Sequence, residues 1–331
     1  MFKGTLVASI TPFQDDINKS VDYESLEKLL DFQLNSQTNN HINERDNTQS
    51  KTNIQINEKK NTQLNTNTQV KENINGLVIC ASTGEGTLLS NEERIEIIKF
   101  VIKSINNKIP VIVGCSSCST IEAIKNIKIA SDLGANGVLV TPPYYVKPNQ
   151  EGIFKHFEGI SNNTDIPVIV YNIPSRVSVK IELETLKKIF NLKNIVALKD
   201  STKNFETLSI LHNEMPHINI LSGDDGTLPA CLAHGACGAV SAAANVFPKE
   251  ISNVISSWNS NNIKQFKESS NIIPYISKAI SITTNPIPIK YILSKMKIIK
   301  NIVREPLCII NNEQKILLDK LLNTIDNLTK Y

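Results

Sequence analysis

Eight short apolar runs, each followed by a segment with helical periodicity, dominate the sequence and leave few folds open to it. They are Leu6–Ile10, Gly76–Ala81, Val111–Gly114, Gly137–Val140, Pro167–Tyr171, Ile195–Lys199, Ile218–Leu221 and Gly238–Ala242. Runs this short, rich in Val and Ile and lacking polar alternation, read as strands buried on both faces. The intervening segments carry helix signals. Asp22 is an N-cap ahead of Leu26, Leu29, Leu30 and Leu34, and Ser90 with Glu93 forms a capping box ahead of Ile95, Ile98, Val101 and Ile102. Further helices are expected at 120–133, 149–161, 180–190, 203–214 and 226–235, and another starting near Pro248. Parallel strands joined through helices are buried most completely when the sheet closes. The expected fold class is therefore α/β: a (β/α)8 TIM barrel over 1–263, followed by a C-terminal helical region over 264–331.

One stretch breaks the pattern. Residues 36–73 are nearly all Asn, Gln, Thr, Lys and Glu, without aromatic residues, Gly or Pro, and Asn-Thr-Gln recurs at 47, 61 and 67. Such a segment buries too little apolar area to offset the entropy of ordering it, so it reads as a disordered or weakly ordered insertion. The rest is ordinary for a globular protein: 40% hydrophobic residues and a net charge of +3 over 331 residues. The lysines are dispersed, which gives no electrostatic footprint for nucleic acid. No apolar run approaches the ~20 residues of a membrane span, and the N-terminus lacks a signal-peptide pattern, so the expected location is the cytoplasm. Cys115-Ser-Ser-Cys118 has neither a second pair nor a histidine pair at zinc spacing, and the histidines at 41, 156, 212, 217 and 234 share no spacing. Buried thiols and no metal site are expected.

In a parallel barrel, chemistry gathers at the carboxyl ends of the strands. Those ends supply Ser82, Thr83 and Glu85 after the second run, Tyr144 and Tyr145 after the fourth, and Tyr171 with Arg176 at the fifth. Lys199 closes the sixth, Gly223-Asp224-Asp225 follow the seventh, and Ser241 and Asn245 follow the eighth. A lysine in that position is either a paired structural charge or a nucleophile. Burial disfavours an ammonium, and a neutral amine adds to a carbonyl to form a Schiff base. Hydroxyls and phenols around one lysine suit an imine mechanism on a small keto acid. The Ser82-Thr83-Gly84 turn would hold its carboxylate, with the dipole of the next helix behind it.

Six motifs, in order and well spaced, carry a resemblance: Ala81-Ser-Thr-Gly-Glu-Gly86, Val140-Thr-Pro-Pro-Tyr-Tyr-Val-Lys-Pro148, Tyr171-Asn-Ile-Pro-Ser-Arg176, Leu198-Lys-Asp200, Leu221-Ser-Gly-Asp-Asp225 and Asn285-Pro-Ile-Pro-Ile-Lys290. Together they resemble the dihydrodipicolinate synthase / N-acetylneuraminate lyase family over roughly 1–35 and 74–331. The resemblance implies that Lys199 forms a Schiff base with pyruvate, so that a covalent imine replaces any cofactor. It implies that Tyr171 is the general acid/base, with Ser82 and Tyr145 completing a hydroxyl relay and Tyr145 donated by a neighbouring subunit. It further implies that Thr83 holds the pyruvate carboxylate, that Arg176 holds the carboxylate of a second substrate, and that Gly223 and Val240 line the pyruvate pocket. A close homodimer, commonly within a dimer of dimers, is the implied assembly.

The arginine at 176 matches the synthase branch and favours a substrate with a second carboxylate, aspartate semialdehyde, which would place the chain in lysine and diaminopimelate biosynthesis. Ser82 instead matches the lyase branch, and Val177-Ser178 departs from the usual Thr-Gly. The alternatives are a pyruvate-dependent lyase of N-acetylneuraminate or 2-keto-3-deoxy sugar acids, and a non-catalytic binding scaffold of the same fold. At the pocket where lysine inhibits some synthases, Tyr144 and Glu122 match, whereas Asn91, Arg94 and Cys118 do not. Weak lysine feedback is expected, since the Arg94 cation repels an ammonium.

Overall fold

The β-branched runs form eight parallel strands that close on themselves in sequence order. They are β1 Gly4–Ala8, β2 Gly76–Ile79, β3 Val111–Gly114, β4 Gly137–Val140, β5 Val168–Asn172, β6 Ile195–Asp200, β7 Asn219–Ser222 and β8 Gly238–Ser241. The computed structural model describes residues 2–35 and 74–329, so the insertion expected at 36–73 lies outside the described residues. Leu6 stands opposite Gly76 on one side and Val240 on the other, which closes the ring and leaves no strand edge.

Around the ring lie α1 Tyr23–Asn35, α2 Asn91–Ile105, α3 Thr120–Asp132, α4 Gln150–Asn162, the single turn α5 Pro174–Val177, α6 Leu183–Phe190, α7 Phe205–Glu214, α8 Leu228–Ala233 and α9 Pro248–Asn259. Four more helices follow: α10 Ile263–Ser270, α11 Ile273–Ile280, α12 Ile287–Lys295 and α13 Asn312–Thr329. Asp22 caps α1 by accepting from the Ser25 N–H at 3.1 Å, and Ser90 and Glu93 form the capping box of α2.

The core has two layers, and strand periodicity decides which residue enters which. Leu6, Ala8, Val78, Ile112, Leu139, Ile169, Ala197, Leu221 and Val240 fill the barrel interior. Their neighbours Val7, Leu77, Ile79, Val113, Val168, Val170 and Leu198 pack outward against the helices. By the same parity Tyr171 and Lys199, two residues after Ile169 and Ala197, point inward, whereas Asp200 points outward.

Three details differ from the sequence reading. The first strand begins at Gly4 rather than Leu6; Gly4 has φ +75°, and a Cβ there would lie 2.1 Å from Asn75 Oδ1. On α2 the buried stripe is Ile97, Ile98, Val101 and Ile105, with Ile95 and Ile102 only partly covered. The helix is isoleucine-rich on two adjacent stripes, and periodicity alone does not choose between them. Asn245, read as a rim residue, is fully buried and braces the structure: its Oδ1 accepts from Ile10 N–H and from Gln33 Nε2, both at 3.1 Å, and its Nδ2 donates to the Ala8 carbonyl at 2.6 Å.

Candidate active site

At the carboxyl ends of the strands a cavity of about 50 Å³ opens over Lys199. Seven of the eight sequence-predicted site residues line it: Ser82, Thr83, Tyr171, Arg176, Lys199, Gly223 and Val240. Lys199 is 6% exposed, and its Nζ lies 4.0 Å from the centre of the Tyr171 ring, its partner in the β5–β6 register. The phenol face is an electron-rich lid for the amine. Gly223 sets the floor. Its N–H donates to the Asp200 carbonyl at 2.7 Å, and a Cβ there would stand 3.0 Å from Lys199 Cε and 2.4 Å from Ser201 Oγ. Only glycine leaves the lysine stem its room.

Ser82 and Thr83 sit on a tight loop between β2 and α2. Cys80 and Glu85 take left-handed φ values of 54° and 53°, and a Cβ on Gly86 would lie 1.9 Å from the Cys80 carbonyl oxygen. Arg94 reaches back from α2 to bond the Gly114 carbonyl at 2.7 Å and the Gly86 carbonyl at 3.3 Å. The helix dipole expected behind this loop is not there. One short 3-10 turn, Gly86–Leu88, intervenes, and α2 begins only at Asn91, with its first turn satisfied by Ser90. Side-chain hydroxyls and the loop's own N–H groups are left to meet an anion.

The C-terminal helical region holds the loop from the other side. Asn285 Nδ2 donates to Thr83 Oγ1 at 2.9 Å, and the Asn285 carbonyl accepts from Arg176 Nη2 at 3.1 Å. Glu85 is ion-paired with Lys290, and both side chains are essentially sealed, at 1% and 0% exposure. Arg304 N–H adds a bond to Glu85 Oε2 at 3.0 Å, and Lys290 donates to the Ile302 carbonyl at 2.9 Å over the ring of Phe13. Burial pushes the Lys290 ammonium down to about 8 against the pull of Glu85.

Tyr145 stands apart. The residue is 91% exposed, with φ +70°, and it lies on the wall of a wider cleft of about 710 Å³ rather than in the Lys199 cavity. Ser82, Tyr171, Arg176 and Tyr144 also face this cleft. Of the remaining rim residues, Asp225 is a bracket. It accepts from the Ser241 hydroxyl and from the N–H groups of Ala242 and Ala243, at 3.2 and 3.0 Å, and burial holds its carboxyl above the usual range. Among the described residues no three His, Cys, Asp or Glu gather as a metal site. Cys115 is buried and Cys118 exposed, and burial pushes the Cys115 thiol up to about 12. His156, held down to about 4 by burial, bonds Thr120 Oγ1 through Nδ1 at 2.9 Å.

Asn285, Lys290 and Arg304 have no site role in the sequence reading. The only signal was Asn285-Pro-Ile-Pro-Ile-Lys290, which resembles the family but lies far from the strand ends where periodicity directs attention.

A closed parallel barrel with a buried lysine at the strand ends, facing a small cavity beside a phenol and two hydroxyl-bearing residues, defines a lysine-centred barrel lyase. A profile of the Dihydrodipicolinate synthetase family matches residues 48–325, and the chain belongs to that family. It is 34% identical over 316 residues to a 4-hydroxy-tetrahydrodipicolinate synthase of Thermodesulfovibrio yellowstonii, covering 95% of each chain. It is 32% identical to the synthase of Clostridium novyi, over 100% of this chain and 98% of that one. Among solved structures, the 4-hydroxy-tetrahydrodipicolinate synthase of Methylacidiphilum fumariolicum SolV matches with a TM-score of 0.85 at 30% identity, covering 99% of this chain and 97% of that one.

Proposed function

We propose that the protein condenses pyruvate with L-aspartate 4-semialdehyde to give 4-hydroxy-tetrahydrodipicolinate, a step of lysine and diaminopimelate biosynthesis. The observation that carries this reading is the sealed Lys199 amine against Tyr171, in a cavity that also holds Thr83 and Arg176. The Lys199 amine adds to the pyruvate ketone, and water leaves as the imine forms. Tyr171 takes up and returns the protons exchanged at these centres, relayed through the Ser82 hydroxyl and through Tyr145 of a neighbouring copy. Loss of a methyl proton turns the imine into an enamine, whose carbon attacks the aldehyde to form the new C–C bond. The substrate's own amine then displaces Lys199 at the imine carbon, closes the ring and frees the enzyme. Thr83 anchors the pyruvate carboxylate, and Arg176, at the exposed mouth, meets the second one. Gly223 and Val240 keep the pyruvate methyl side small.

The reading includes a homodimer, within a dimer of dimers, because Tyr145 is poised away from its own lysine. The covalent imine serves as the electron sink, with no separate cofactor called on. A cytoplasmic location accords with the pathway, and no described helix is long and apolar enough to cross a membrane. Ser82 favours a second reading, a pyruvate-dependent lyase of sialic or 2-keto-3-deoxy sugar acids. Incubation with pyruvate and borohydride tests the chemistry: the expected result is a mass gain on Lys199, and its absence would leave only a non-catalytic scaffold. Turnover with aspartate semialdehyde, and none with N-acetylmannosamine or glyceraldehyde, separates the two enzymes. The reverse pattern would overturn the synthase.

A further inference from the structure

Thr83 is 4% exposed, and among the described residues its hydroxyl donates to no protein acceptor. Its oxygen accepts the Asn285 Nδ2–H at 2.9 Å. A hydroxyl is one donor with two acceptor lone pairs, and the rotor turns to suit its neighbours. With an N–H fixed on the oxygen, the O–H is directed away from Asn285. Asn285 and Thr83 both line the Lys199 cavity, so the free O–H has that space to serve. The other half of the same amide, Oδ1, is buried without a hydrogen-bond partner. Keeping a buried amide half satisfied is unfavourable, and its position beside a cavity points to a role other than stability.

Two further features hold Asn285 in this place. Its backbone carbonyl accepts from Arg176 Nη2 at 3.1 Å, and Lys290, five residues on, is paired with Glu85 of the Thr83 loop. We infer that Asn285 is a positioning residue for keto-acid capture: it fixes the Thr83 hydroxyl as a donor toward the pyruvate carboxylate. This rests on the imine reading above. Because the side chain acts on Thr83 while the backbone carbonyl acts on Arg176, a side-chain substitution weakens capture of pyruvate and spares capture of the semialdehyde.

Borohydride trapping on the full-length protein across a pyruvate series gives the half-saturating concentration for the mass gain at Lys199. Asn285→Ala removes the donor and is expected to raise that concentration about tenfold, the scale of one hydrogen bond to a carboxylate made less well. Asn285→Asp keeps the shape but offers an acceptor, so the Thr83 O–H turns to it; a larger rise is expected. The KM for the semialdehyde stays within about twofold in both. Thr83→Val with Asn285→Ala is no worse than Thr83→Val alone, since the two act through one hydroxyl. Unshifted midpoints in both Asn285 variants, or losses that multiply in the double variant, overturn the inference while the imine stands. A wild-type protein that traps no pyruvate overturns the imine reading and this inference with it.

Discussion

Lys290→Met tests what the sealed ion pair contributes. Methionine matches the lysine stem in length and removes only the ammonium. Glu85 then remains 1% exposed and loses its directly paired ammonium, keeping the Arg304 N–H at 3.0 Å and the more distant attraction of the Arg304 guanidinium. Removing one partner of a buried pair costs about 3–5 kcal/mol. For 331 residues, at ~2.1 cal/mol/K of unfolding entropy per residue, that lowers Tm by about 4–7 °C. Replacing both partners, as Glu85→Gln/Lys290→Met, should recover most of the loss, because the desolvation of two charges disappears with them. Urea denaturation of the four proteins measures the cycle. A single variant within about 1 kcal/mol of wild type would show that Glu85 is neutral or wet, and the reasoning would fail. The pair has a pH signature as well. The Lys290 pKa falls from 10.5 in the unfolded chain to about 8 in the fold. Between those values the unfolded chain binds more protons at this site, so stability rises with pH from about 8 to 10.5. That contribution is fully present above 10.5 and lost as pH falls through 8. Lys290→Met should lack this rise.

Gly223→Ala places a methyl 3.0 Å from Lys199 Cε, so we expect a stability loss of about 1–3 kcal/mol together with a much larger fall in pyruvate trapping; normal trapping would mean the lysine stem has slack. Mixed oligomers of Lys199→Ala and Tyr145→Phe subunits should regain activity that neither parent shows, since one site per hybrid dimer has both residues intact; no regain would place Tyr145 outside the relay. Micromolar lysine should leave the steady-state rate unchanged, and clear inhibition there would show that Arg94, tied to the Gly86 and Gly114 carbonyls, does not repel the ammonium. Replacing residues 36–73 with a short Gly-Ser linker should leave kcat/KM within about twofold, because α1 ends at Asn35 and β2 starts at Gly76, on the face opposite the cavity. A large loss would tie the segment to catalysis.

The barrel is legible because most strands are short runs dominated by Val, Ile and Leu, with polar residues gathered at their ends, and the same runs fix the parity that turns Lys199 and Tyr171 inward. Capping by Asp22 and Ser90 was legible because a cap is a local bond, three residues long. What escaped was set by distance in the chain. Asn285 meets Thr83, and Lys290 meets Glu85, across about two hundred residues, and no local pattern encodes such pairs. Glu85 could be named as a rim residue, but not that its carboxylate is committed to Lys290. The α2 stripe was misphased because Ile95 and Ile102 are as apolar as Ile97 and Ile105. The dipole expected behind Ser82-Thr83 failed because a glycine-rich turn can precede a helix by several residues.

Asn285 has a consequence for how such chains can be recombined. A chimera that joined this barrel to the last helices of a relative would import one wall of the reaction chamber along with them. During synthesis, likewise, the last strand, ending at Ser241, leaves the ribosome before the amide that orients Thr83. Competence to capture a keto acid therefore arrives with the tail rather than with the barrel.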